Sequence, residues 1–240
     1  MNKGVQQDPI LHYKFDESFA NNARDSSANN YRGVLINFPI NDSQWVPGVI
    51  GNALLFDGND DYVNFTKAVG LTDDVLNETR NLTSMFWFKT TKTGDQYFIS
   101  GANSLYDNEY LFGLLNQSIS RYFGRNILLA WLINNVSDNQ WHHLALVRDE
   151  SYERLYLYID GLPDNENPKT VFSVPLLIEG LVLGQDQDNV GGGFVPGQAF
   201  QGSLDDLRIY NRVLSAGEIL TIYNDATPIL LVHYPLDTGT

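Results

Sequence analysis

The chain has 240 residues, 43% hydrophobic, 12% aromatic and 18% charged, a balance that supplies core material and argues against gross disorder. No apolar run reaches the roughly 18 residues of a membrane-spanning helix, and the lack of cysteine excludes a disulfide scaffold, a cysteine-ligated zinc and a thiol nucleophile. The net charge of −14, from 15 basic against 29 acidic residues, repels phosphate backbones, which argues against nucleic acid as a partner, and suits oxygen-ligated hard cations.

Residues 1–8 have no apolar core of their own and read as an N-terminal extension, not a secretion signal. Short apolar-alternating runs follow, separated by Asn, Asp and Gly. In chain order they are ILHYKF (10–15), GVLINF (33–38), ALLFDG (53–58), YVNF (62–65), LTSMFWFKTT (82–91) and QYFISG (96–101). Then come EYLFGLL (109–115), NILLAWLI (126–133), WHHLALVRD (141–149), RLYLYIDG (154–161), GLVLG (180–184) and SLDDLRIYN (203–211). Such runs predict an all-β fold over 9–226, a two-sheet antiparallel jelly-roll sandwich. In RLYLYIDG, Leu155, Leu157 and Ile159 face one side and Tyr156 and Tyr158 the other, and Asp160-Gly161 supplies a hairpin turn.

One helix is expected, short and C-terminal. Ser215 and Glu218 form a capping box, and Leu214, Ile219, Ile222 and Tyr223 follow at helical spacing, which predicts a helix over 216–224 that closes one edge of the sandwich. Beyond it, PILHYKFD (9–16) returns as PILLVHYPLD (228–237). Residues 227–240 therefore read as a linker and the first strand of a next repeat in a tandem array, or as an edge strand that merely looks alike.

Catalytic patterns are missing. No Glu-x-Asp-x-x-Glu places two carboxyls on one strand face for glycoside hydrolysis. His142 and His143 are adjacent and point to opposite faces of a strand, and there is no H-E-x-x-H or G-x-S-x-G. The expectation is a protein that is not an enzyme. Asp57, Asn59 and Asp61 imitate the start of a helix–loop–helix calcium loop, but Tyr62 stands where that loop needs glycine and Ala68 where it needs glutamate, so DGNDDYV reads as a polar turn.

One loop differs from the rest: LGQDQDNVGGGFVPGQ (183–198). Asp186 and Asp188 lie one residue apart, three glycines free the backbone, and no Lys or Arg is near in sequence. Two close anions without a counter-charge raise a pKa or invite a cation; the other reading is a solvated surface loop.

Residues 9–225 resemble the laminin G-like, concanavalin A-like jelly rolls through FDGNDDYV (56–63), MFWFKT (85–90), WHHLALVRD (141–149), LYIDG (157–161) and SLDDLRIYNRVLS (203–215). Within that group, DNEYLF (107–112) and LGQDQDNVGGGFVPGQ are similar to the two calcium stretches of pentraxins. The resemblance implies a Ca2+ held by Asp107, Asn108, Asp186, Asp188 and the backbone carbonyl of Gln187, with Gln198 matching a ligand of a second calcium. Asp186 stands where pentraxins have the longer Glu. Val195 stands where the second site has an acid, so one firm calcium is expected. The pentraxin disulfide is missing, and pentameric assembly is not carried over.

The expected function is a calcium-binding recognition module, extracellular or at the cell surface, lectin-like and part of a larger adhesin-type protein. Its partner is a glycan, another cell-surface ligand or a protein, with Tyr106, Tyr110 and Phe194 flanking the calcium as candidate stacking faces. Two alternatives stand beside it: a calcium-rigidified structural or protein-interaction repeat, and an accessory binding domain of a larger enzyme.

Overall fold

The computed structural model describes residues 8–19, 21–65 and 76–227. Nineteen strands of two to ten residues, one α-helix and a 3-10 turn at Glu150–Tyr152 are assigned among them. The first sheet runs β15 (Leu162–Pro163), β14 (Arg154–Ile159), β13 (His142–Asp149), β8 (Leu82–Lys89), β19 (Gln201–Tyr210), β5 (Asn52–Asp57), β4 (Trp45–Pro47). On this sheet β1 (Leu11–Tyr13) also pairs with β19, and β16 (Lys169–Thr170) with β14. The second sheet runs β12 (Ile127–Leu132), β11 (Ile119–Gly124), β10 (Tyr110–Asn116), β9 (Gln96–Ala102), β18 (Gly180–Leu183), β6 (Tyr62–Asn64), β3 (Arg32–Ile36), β2 (Asn22–Arg24). A small ribbon joins β7 (Asn77–Thr79) to β17 (Leu176–Leu177). The fold is an antiparallel jelly-roll sandwich.

Strand alternation builds the core between the sheets. Leu155 and Leu157 are wholly buried, as their alternation with tyrosines predicts. The sandwich is filled by aromatic rings. Phe98 sits within 4.9 Å of Phe88, 5.0 Å of Phe86, 5.1 Å of Phe200 and 6.1 Å of Phe112, centroid to centroid. Asp160 and Gly161 both adopt positive φ, 50° and 77°, the mirror-image turn that suits the twist of the β14–β15 hairpin.

The helix α1 (Ala216–Ala226) begins as expected. The Ser215 hydroxyl oxygen accepts from the Glu218 N–H at 3.3 Å, and Glu218 Oε2 accepts from the Ser215 N–H at 2.8 Å. Its position differs from the expectation. Leu214, Ile219 and Ile222 share a second buried cluster with Met85, Ala145, Val147, Tyr158 and Tyr210, so α1 covers the outer face of the first sheet and does not close an edge. Tyr223 stacks on Trp87 at 5.2 Å there. The reason is the sheet's own composition: β8 and β13 bury residues on both faces, and a strand that is apolar on both sides needs a cover on each. The repeat segment 228–237, most of the 227–240 extension and most of the 1–8 extension lie outside the described residues.

Phe98 links both sheets, so its truncation is expected to cost about 3–5 kcal/mol, the usual penalty for emptying a buried aromatic site. Denaturant unfolding of Phe98→Ala measures it; a loss of under about 1 kcal/mol would mean the rings repack freely.

Candidate functional site

The loop after β18 is closed at its neck by backbone bonds. The Gly184 N–H donates to the Phe98 carbonyl at 3.0 Å, and the Phe200 N–H donates to the Gly184 carbonyl at 2.8 Å. Phe200 plugs its ring into the core beside Phe98 and Phe56. Between these ends Gln187 fastens the loop to the second sheet. Its Nε2 donates to the Ser100 carbonyl at 2.6 Å and the Gly180 carbonyl at 3.0 Å, its N–H donates to Ser100 Oγ at 3.1 Å, and its Oε1 accepts from the Gly191 N–H at 2.7 Å. Asn189 and Gly192 exchange backbone hydrogen bonds at 2.9 and 3.1 Å, which folds the glycine run into a small turn. Gly193 has φ +73°, and a Cβ there would approach Asn189 Nδ2 to 2.7 Å, so this corner needs glycine. Lys92 Nζ donates to the carbonyls of Gly197 and Ala199, both at 2.7 Å, and anchors the far arm.

The second segment enters from the β9–β10 connection. Asn103 Oδ1 accepts from the N–H groups of Leu105 and Tyr106 at 2.7 and 2.8 Å, a tight turn that delivers Asp107 and Asn108. The Asn108 N–H donates to Asp107 Oδ1 at 3.0 Å and Asn126 Oδ1 at 3.2 Å.

The electrostatics bring the two segments together. Asp186 is 6% exposed, and its carboxyl is pushed up to about 7 by burial, then by the charges of Asp188 and Asp107, with Arg121 pulling the other way. Asp188, which is exposed, is raised by desolvation and then by Asp107. Three carboxylates from two segments distant in sequence thus repel one another. Asp186 Oδ1, Asn108 Oδ1 and Gln198 Oε1 are all buried and accept no hydrogen bond from any described residue. Buried oxygens without donors are costly, and a hard cation is the partner that oxygen-only donors of net negative charge fit. The Gln187 side chain and N–H are engaged by the second sheet and the glycine run. Val195 is 38% exposed at the loop tip and offers no side-chain oxygen.

The aromatic expectations divide. Tyr110 is 2% exposed, with its hydroxyl 2.5 Å from Ser84 Oγ and its ring 5.4 Å from Tyr122. It is a core residue and cannot stack on a ligand, because β10 turns it inward between the sheets. Phe194 lies half-buried with its ring 4.6 Å from Tyr62. Tyr106, also half-buried, lies under the Arg125 guanidinium at 5.5 Å. Two charged residues escape a sequence reading. Arg121 reaches the loop only through the β9–β10–β11 pairing, and its Nη2 is already held by Asp95 Oδ2 at 2.7 Å. Glu109 is fully buried and accepts from the Leu177 N–H at 2.7 Å and Arg125 Nε at 3.3 Å, which ties the 107–108 segment to the neighbouring ribbon.

Among the described residues, Asp57, Asp60 and Asp61 are the acidic group whose carboxylate oxygens lie within 4.8 Å of one another; the acids of the glycine loop and of the 107–108 segment stand further apart than that. Their bonding is that of a self-satisfied turn. Asp57 accepts from the Asn59 N–H at 2.8 Å and from Asn59 Nδ2 at 2.9 Å, and Asp61 Oδ2 accepts from the Asp57 N–H at 2.9 Å. Partial desolvation pushes Asp57 up, but hydrogen bonds from Asn59, Asp60 and Asp61 outweigh it and leave the carboxyl below its usual value. The orphaned oxygens at the glycine loop make that loop the stronger cation candidate.

Residues 57–220 match the concanavalin A-like lectin/glucanases superfamily, and the chain belongs to that family. The chain is similar to human pentraxin-4, 29% identical over 189 residues that make 75% of this chain and 38% of pentraxin-4, so it spans well under half of that relative. A heptameric SAP-like pentraxin from Limulus polyphemus superposes with a TM-score of 0.54 at 23% identity over 62% of this chain and 71% of its own. Domain 4 of AbnA, an extracellular arabinanase from Geobacillus stearothermophilus solved with arabinotriose, superposes with a TM-score of 0.61 at 20% identity over 90% and 98%. These likenesses support a binding module built on the jelly roll.

The raised carboxyls carry a pH dependence. Asp186 has a folded pKa of about 7 against an ordinary 3.8, so the folded state disfavours its ionised form, and metal-free stability falls as pH rises from the unfolded value through the folded one. Asp205, also pushed to about 7 by burial, and Asp61, to about 6 by burial, act with the same sign. Buried His143, lowered to about 4, works the other way between that value and its ordinary 6.5, but one imidazole stands against three carboxyls, and metal-free protein is expected to melt higher at pH 5 than at pH 8. Asp186→Asn should flatten that slope and raise the metal-free melting temperature at pH 8. A metal-free variant that melts below the parent at pH 8 would refute the unpaired, repelled state of Asp186.

Proposed function

We propose that the chain is a calcium-binding recognition module, lectin-like and acting outside the cell or at its surface. The observation that supports this reading is the set of buried, partnerless oxygens of Asn108, Asp186 and Gln198 beside three mutually repelling carboxylates. Asp107, Asn108, Asp186 and Asp188, with the Gln187 carbonyl, would hold the ion. Calcium takes six to eight oxygens; five residues leave room for water or for hydroxyl or anionic oxygens of a ligand. Asp188 is exposed, so the open side faces solvent. Pentraxins, a calcium-binding family whose members are secreted or extracellular, agree with this placement. The structural-repeat alternative is weaker, because Gln187, Lys92 and Phe200 already fasten the loop without an ion.

Calcium at about 100 times its dissociation constant adds about 2.7 kcal/mol to the folded state, a melting shift on the order of 5–10 °C for a domain of this size. Chelation should reverse it. Asp186→Asn or Asp188→Asn should abolish most of the shift, and Asp60→Asn in the turn should leave it intact. Equal losses at both places would assign calcium to the turn. A glycan array run with calcium and with chelator tests recognition itself; glycan binding that persists in chelator would overturn the calcium-dependent reading.

Stoichiometry tests the role of Val195. Titration calorimetry is expected to count one calcium, and Val195→Glu should add a second, weaker one by supplying a charged ligand beside Asp186, Asp188 and Gln198. Two ions of similar affinity in the unmodified chain would show that water or backbone oxygens replace the missing acid.

A further inference from the structure

A cleft of about 390 Å³ opens on the outer face of the first sheet, and none of the calcium ligands proposed above lines it. Its volume lies within the range of about 300–1,000 Å³ typical of small-ligand pockets. Leu55, Ser203 and Lys89 form its floor as cross-strand neighbours, since Ser203 pairs with Leu55 on one side and Lys89 on the other. Asp57 and Asp61 stand at one end and Gln44 in the wall. Leu55 is 39% exposed although Leu54 and Phe56 on either side of it are buried. Gln44 is 3% exposed, and its Oε1 accepts no hydrogen bond from any described residue.

We propose that this cleft is a second binding site, independent of metal, for a neutral saccharide unit. The walls mix acceptors, the Asp61 and Asp57 carboxylates and the Gln44 amide oxygen, with a donor, the Lys89 ammonium. Lys89 Nζ is held 5.1 Å from the centre of the Trp141 ring. A sugar ring offers hydroxyls that donate and accept, and an apolar C–H face that suits the exposed Leu55. Two carboxylates against one ammonium leave no surplus positive charge, which disfavours phosphate, sulfate and sialylated ligands. A divalent cation fits less well, because Asp57 accepts through both oxygens from Asn59 and Asp61 Oδ2 accepts from the Asp57 N–H. Hydroxyl donors need only the remaining lone pairs. The proposal does not rest on calcium binding at the glycine loop, since the two residue sets share no member.

The test is amide NMR of the whole chain in excess chelator, titrated with the methyl glycosides of glucose, galactose, mannose and N-acetylglucosamine into the tens of millimolar. Saturable shifts at the amides of Leu55, Lys89 and Ser203 are expected with at least one glycoside. Gln44→Ala and Lys89→Ala should each weaken that binding by about tenfold, the loss of one or two good hydrogen bonds, with spectra otherwise dispersed as in the parent. Asp188→Asn should leave it unchanged, which separates this site from the loop. No saturable shift with any glycoside overturns the proposal. So do shifts that need calcium, and so does unaltered binding in both cleft variants, because each assigns the contact elsewhere.

Discussion

The pole of this molecule depends on one buried amide. Gln187 spends its side chain on three partners, two carbonyls of the second sheet and one N–H of the glycine run. That arrangement fixes residue 187 against Ser100 and Gly180, and it decides what its neighbours do. Asp186, on the inner side, is drawn under cover; Asp188, on the outer side, is left in solvent. The glycines supply the tight return that lets Gly191 reach Gln187, and Phe200 closes the loop by re-entering the aromatic core. The sandwich thus sets the loop's footing, and the loop sets its two acids at different depths.

Burial of charge is handled in two ways on this chain. Asp206 is 5% exposed, yet its ion pairs with His12 at 2.6 Å and Arg208 at 2.9 Å overcome the desolvation that would raise it, and its carboxyl lies below the ordinary value. Asp205, its neighbour, accepts from the N–H groups of Val49 and Ile50 through Oδ2 but keeps Oδ1 without a partner, and burial pushes it up to about 7. Asp186 has neither an ion pair nor a donor on its buried oxygen. A well-packed loop that leaves such a group unpaired is most simply explained by a partner from outside the chain, since an unpaired buried carboxylate favours the protonated form at the expense of stability.

Much of this was legible from residues alone, for identifiable reasons. Alternation marked the long strands because each has one face in the aromatic core, and the capping box at Ser215 marked the helix because it is a local pattern. The strands that were missed, such as β2, β4, β15 and β16, run two or three residues, too short for a period to show. β11 was missed because Arg121 and Gly124 interrupt its alternation. The helix was misplaced because periodicity tells which residues are buried and not against what. Tyr110 shows the same limit: proximity in sequence to Asp107 and Asn108 marks it as a stacking candidate or as ordinary strand packing, and only the face of β10 it occupies decides for packing. The glycine loop was legible as an acidic, glycine-rich segment, whereas the place of Arg121 beside it became visible only when the sheet brought β9, β10 and β11 side by side, and the partners of Glu109 only when the β17 ribbon packed against it.

Charge separates what the two candidate surfaces can accept. The chain as a whole carries −14, so an anionic ligand meets repulsion over most of the surface. At the glycine loop a bound divalent cation would reverse that locally, and hydroxyl or anionic oxygens completing its shell would be drawn in against the general field. At the outer-sheet cleft Lys89 alone faces Asp57 and Asp61, and no cation is needed to satisfy acids that already accept backbone and amide hydrogens. That surface favours neutral, hydroxyl-rich ligands, whose hydrogen bonding is indifferent to net charge. The turn holding Asp57 and Asp61 is braced by Gln185, whose Nε2 donates to the Asn59 carbonyl at 3.1 Å. Gln185 directly precedes Asp186, so the two surfaces share a support while differing in chemistry.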